Sequence, residues 1–128
     1  MVDFPFLLLL MNSTLPSRIA AVLGFLGVAL GAFGAHLLDN TLKSNGHLDH
    51  WHTAVLYHLI HAAVLVAITQ REPVGTVTWR LFAAGIVIFS GTLYLYSLTN
   101  LRWLAMITPL GGFCLLAGWL ALALKPRG

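Results

Sequence analysis

Of the 128 residues, 59% are hydrophobic and only 9% are charged, and the formal net charge is +3. Soluble domains hold roughly 25% charged residues, so this balance excludes an ordinary soluble fold and leaves an integral membrane protein. The lysines and arginines stand singly along the chain, which makes them topology and anchoring charges and excludes nucleic acid as a partner.

The chain opens on an apolar stretch, residues 2–10, that contains Asp3 and Pro5. It is too short to cross a bilayer and lacks the basic start of a signal peptide. Residues 1–16 are therefore expected to be an N-terminal extension, with Met11 as an alternative start. Residues 17–125 are expected to form a single four-span domain, and 126–128 a tail.

Four charge-free runs follow, at 19–38, 50–70, 81–101 and 103–124, each 20 to 22 residues long. At 1.5 Å per residue each reaches about 30 Å, the thickness of a bilayer core. The runs are continuous, whereas barrel strands alternate apolar and polar positions. A helix also satisfies its own backbone in lipid. The predicted fold is an all-α, antiparallel, integral membrane four-helix bundle with helices at about 18–38, 50–71, 80–99 and 103–124.

The first span carries Gly24, Gly27, Gly31 and Gly34, the small-residue spacing that lets a second helix approach closely. Asp49 is expected to cap the second span, and Glu72 with Pro73 to end it. The third and fourth spans are separated only around Thr99, Asn100 and Arg102, so they form a hairpin. Within the fourth, Pro109 either kinks a helix begun at Trp103 or starts a new one capped by Thr108. Gly91, Gly111 and Gly112 join the packing glycines. Cys114 is the only cysteine and lies inside the last run, as an inert thiol.

If the spans alternate, Arg18, Arg71, Arg80, Lys125 and Arg127 share one side, and Lys43 and Arg102 the other. The positive-inside bias then places both termini in the cytoplasm. Trp51, Tyr94, Tyr96 and Trp103 fall near outer span ends, and Trp79 and Trp119 near inner ends. They are expected to form two aromatic belts.

All six histidines lie between His36 and His61. Ionisable groups at membrane depth are candidate functional sites. His47, His50 and His52 belong to an outward loop and are expected to be solvated. Tyr57, His58 and His61 share a helix face, and His36 ends the first span on the same side, where a meeting with the second is sterically reasonable.

The strings GAFGAH at 31–36, TAVLYHLIHA at 53–62, FSGTLYLYSLT at 89–99 and RWLAMITPLGG at 102–112 resemble those of domain of unknown function 423. This is a family of small four-helix membrane proteins similar to eukaryotic transmembrane protein 256. The resemblance covers roughly residues 17–124. It implies a four-span protein of unestablished molecular function, in the bacterial inner membrane or, in a eukaryote, the mitochondrial one. His36 and His61 match family histidines, while the position of His58 also accepts glutamine. Leu37 stands where glycine is common and Thr92 where serine is usual.

The candidate polar site is therefore His36, Tyr57, His58, His61, Thr92 and Thr108. One reading is that these groups hydrogen-bond between helices and fix their register. A second is a proton-handling or quinone-headgroup site, and a third is metal or haem ligation by His36, His58 and His61. Ser90 and Thr92 lack an acid to orient a histidine, since the chain holds only Asp3, Asp39, Asp49 and Glu72. The sequence thus leans away from an enzyme and from a resident cofactor. It favours a structural or accessory component of an inner-membrane assembly or homo-oligomer. The alternative is a small redox, proton-linked or metal- or quinone-binding protein built on a histidine pair.

Overall fold

The computed structural model describes residues 3–70 and 76–125. The elements are α1 (Phe4–Ala35), a short α2 (Asp39–Asn45), α3 (Leu48–Thr69), α4 (Thr76–Gly85), α5 (Gly91–Thr99) and α6 (Arg102–Leu124). α4 runs into α5 through one π-helical turn, Ile86–Ser90. Four apolar spans result: Leu15–Ala35, Leu48–Thr69, Val77–Thr99 and Arg102–Leu124.

Several helix boundaries differ from the sequence expectation. α1 begins well before residue 18 and passes through Pro16 and Arg18, because a charge-free run measures what lipid will hold and not how far helical hydrogen bonding extends. It also ends at Ala35, short of 38, where the His36 amide bonds to the Ala32 and Phe33 carbonyls. Leu37 and Leu38 then lead into α2.

Asp49 does not cap α3. The helix starts at Leu48 with His47 at the cap position and no side-chain cap bond, while Asp49 lies in the first turn, where its carboxylate suits the positive end of the helix dipole. Glu72 and Pro73 lie outside the described residues. α4 is helical from Thr76, earlier than residue 80. Pro109 lies inside α6, so the helix starts at Arg102 and not at the proline.

The element that the residue pattern did not reveal is α2. Gly46 closes it in a left-handed conformation (φ 74°) that suits glycine, and the His47 amide reaches back to the Leu42 carbonyl at 3.0 Å. Leu42 is fully buried. The Asn45 side-chain amide donates to the carbonyls of Ser97 (3.0 Å) and Leu98 (3.4 Å), covering the C-terminal end of α5. Asn100, at φ 60°, then turns the chain into α6.

The spans pack in sequence: α1 on α3, α3 on α4 and α5, and these on α6. α1 and α6 form the two flanks, with large side chains such as Phe25 and Met106 exposed. Two apolar cores lie between them. One joins Ala20, Leu65, Ile68, Phe82, Ile86 and Leu115, and the other joins Leu42, Trp51, Ala54, Leu93 and Tyr94.

Glycines set the close approaches, at some positions the sequence flagged and some it did not. A Cβ on Gly27, Gly31 or Gly34 would meet Leu59, Val55 or Trp51 of α3 at 2.7, 3.2 and 2.2 Å. A Cβ on Gly111 would lie 2.2 Å from the Phe89 backbone nitrogen, so α6 touches the π-helical turn main chain to main chain. Gly85 against Leu115 and Gly118 against Phe82 complete that seam. Gly24 and Gly91 have open space at the Cβ position and sit in no such contact.

Candidate functional site: a polar layer between the two cores

Near the middle of α3 the two cores are separated by a layer of hydrogen-bonding side chains. His58 and His61 are buried there, as are Ser90 and Thr108. Ser90 Oγ donates to the Ala54 carbonyl at 2.8 Å, tying the π-helical turn to α3. Thr92 and Thr108 share a hydroxyl bond at 2.7 Å between α5 and α6.

His58 bridges three helices. Its Nε2 lies 2.7 Å from the Leu23 carbonyl, an acceptor, so Nε2 carries the proton and donates to α1. In that neutral tautomer Nδ1 accepts from the Tyr94 hydroxyl of α5 at 2.9 Å. His61 holds the opposite tautomer. Its Nδ1 donates to the Tyr57 carbonyl at 2.7 Å, and its Nε2 accepts the Trp119 indole N–H of α6 at 3.0 Å.

One device occurs twice along the α1–α3 seam. Trp51 Nε1 donates to the Leu30 carbonyl at 2.9 Å, and His58 Nε2 donates to that of Leu23, seven residues away on both helices. In each case the residue four positions further along α1 is a glycine, Gly34 or Gly27, whose Cβ would meet the incoming ring at 2.2 or 3.3 Å. Removing the side chain bares the carbonyl one turn back. These carbonyls already serve the helix, and the second donor adds an interhelical bond at no loss to it.

The six-residue candidate set is thereby dispersed. His36 is exposed at the C-cap of α1, and among the described residues its ring makes no hydrogen bond and joins neither His58 nor His61. Tyr57 lies beside His61 with rings 6.0 Å apart and stacked. Thr92 and Thr108 serve each other and their own helices' carbonyls rather than a histidine. Among the described residues no three His, Cys, Asp or Glu side chains converge as a metal-ligand set.

The partners that sequence reasoning missed are Tyr94 and Trp119, both assigned to belts. Tyr94 and Trp51 are instead core residues, 8% and 1% exposed, because each has a buried acceptor within reach. A signal was present: Ser90, Tyr94 and Ser97 follow a 4-then-3 spacing that marks one helix face. His47, read as solvated, is half-buried. Its ring packs at a tilt on Tyr96, centroids 4.4 Å apart, and it donates from Nε2 to the Asn100 side-chain oxygen at 2.6 Å. His50 and His52 are exposed.

Four span-length apolar helices joined by a buried polar layer define a multi-pass helical membrane protein. The chain matches, over residues 30–112, the family model described as "Protein of unknown function (DUF423)". It is 41% identical over 109 residues to the UPF0382 membrane protein YwdK of Bacillus subtilis, covering 80% of this chain and 87% of the relative. It is 39% identical over 119 residues to the UPF0382 inner membrane protein YgdD of Escherichia coli K12, covering 85% and 90%. The chain belongs to the DUF423 family. Inner membrane is the location that the Escherichia coli relative's name gives, and the four apolar helices fit it. No solved structure matches.

Proposed function

We propose that this chain is a structural or accessory component of an inner-membrane assembly, with both termini in the cytoplasm. The supporting observation is that both ring nitrogens of His58 and of His61 are engaged inside the protein, three of the four in bonds between helices. Polar groups spent in this way fix helix register, at about 0.6 kcal/mol per interhelical bond on average. The two flanks, α1 and α6, offer broad apolar faces to lipid or to neighbouring spans. The five basic residues on the terminal side against two on the other support the orientation.

The test is native mass spectrometry on protein released from its own membrane in mild detergent. A defined assembly, homomeric or with larger partners, is the expected result, and a monodisperse monomer of 13.9 kDa overturns the reading. A reporter fused to the C-terminus should be active only on the cytoplasmic side.

A further inference from the structure

A groove of about 380 Å³ opens on the side of the bundle between α3, the π-helical turn and α6. There α3 and α6, each packed on the intervening helix, are joined by the His61–Trp119 hydrogen bond. The groove's volume falls in the range of small-molecule sites, which lie between helices of bundles and combine apolar walls with few polar groups. Here the walls are aromatic: Tyr57, Phe89, Phe113 and Trp119. Its floor is open at Gly112, where an added Cβ would stand 3.7 Å from the Phe89 ring, in ordinary contact.

The polar group of this groove is unspent. The Tyr57 ring packs on Phe89 at 4.7 Å and beside His61, yet among the described residues its hydroxyl makes no hydrogen bond. Tyr57 is 41% exposed and sits nine residues into α3, about 13 Å along its axis. A hydroxyl facing hydrocarbon without a partner is costly, and lipid tails offer no acceptor. The other polar groups nearby, His61 and Trp119, satisfy each other.

We propose that this groove binds a membrane-soluble, uncharged, flat ring bearing a carbonyl and an apolar tail, the quinone class of ligand. It would enter sideways from the bilayer. The ring lies against the aromatic walls, a carbonyl accepts from the Tyr57 hydroxyl, and the tail remains in lipid. The proposal concerns binding alone and stands independently of the accessory reading above, since a monomer would carry the same groove.

The test uses the purified full chain and two probes with the same tail, decylubiquinone and decylbenzene, the second lacking carbonyls. Wild type is expected to bind decylubiquinone saturably, and decylbenzene about three- to tenfold more weakly, the worth of one hydrogen bond. Tyr57→Phe should bring the two probes level, and Gly112→Leu, which fills the floor, should abolish binding of both. Circular dichroism and thermal unfolding confirm that each variant is folded, and Tyr57→Phe removes only an oxygen should Gly112→Leu fail to fold. Absence of saturable binding overturns the proposal. So does equal binding of both probes to wild type, which marks a groove for acyl chains, or unchanged binding in folded Gly112→Leu.

Discussion

The indole of Trp51 stands in the volume that a side chain on Gly34 would need, its Nε1 only 2.2 Å from where that Cβ would lie. This proximity lets the indole reach the Leu30 carbonyl. Gly34→Ala is therefore expected to destabilise by about 1–3 kcal/mol, the cost of overpacking a close contact. Gly24→Ala, on the same helix but facing open space, should change stability by less than about 0.5 kcal/mol. Reversible unfolding of both variants in detergent micelles measures the contrast.

Gly111 and Gly112 are neighbours with opposite expected tolerance. A Cβ at 111 meets the backbone of Phe89, which cannot rotate away, whereas one at 112 meets only a ring edge at ordinary contact. Gly111→Ala should lower thermal stability clearly and Gly112→Ala hardly at all. Similar losses in the two melting curves would refute the close approach of α6 to the π-helical turn.

His58 and Tyr94 should be energetically coupled. Comparing His58→Ala, Tyr94→Phe and the double variant should give an interaction of about 0.6 kcal/mol and no more than about 1.7. Strict additivity would show that the bond contributes nothing to the fold.

The two buried imidazoles are expected to hold opposite tautomers, Nε2–H on His58 and Nδ1–H on His61. Nitrogen-15 shifts of selectively labelled histidine report this directly. In Trp119→Phe the His61 Nε2 loses its donor, so its resonance should move while that of His58 stays.

Asn45→Ala should loosen the last turn of α5 by about 1 kcal/mol, the net worth of a hydrogen bond. Faster hydrogen exchange confined to residues 96–101 is the measurement that checks it.

The four spans were legible because charge is what hydrocarbon rejects, so absence of charge marks membrane-crossing length directly. The direction each apolar residue faces was not. In a bilayer both the core and the lipid accept apolar side chains, so Trp51 and Tyr94 carry no sign in their own chemistry that they point inward. α2 escaped because seven residues containing Asn, Thr, Lys and Ser read as an aqueous loop, and only its contacts with α3 and α5 make it an element. Helix periodicity placed Tyr57, His58 and His61 on one face. The interhelical partners of His58 and His61 lie 35 to 58 residues away in sequence, beyond any local pattern. Gly85 stands apart from other glycines and gave no spacing to notice, whereas Gly118 follows Gly111 by seven residues, a spacing that the sequence reading passed over.

The Asn45 cap also bears on the order in which the protein is made. Residue 45 leaves the ribosome well before Ser97, 52 positions later, so the bond can close only after the third span has been made. The short polar helix between the first two spans therefore gains its last partner only once the third span is made, and a chain truncated before residue 97 would leave the Asn45 amide without these acceptors.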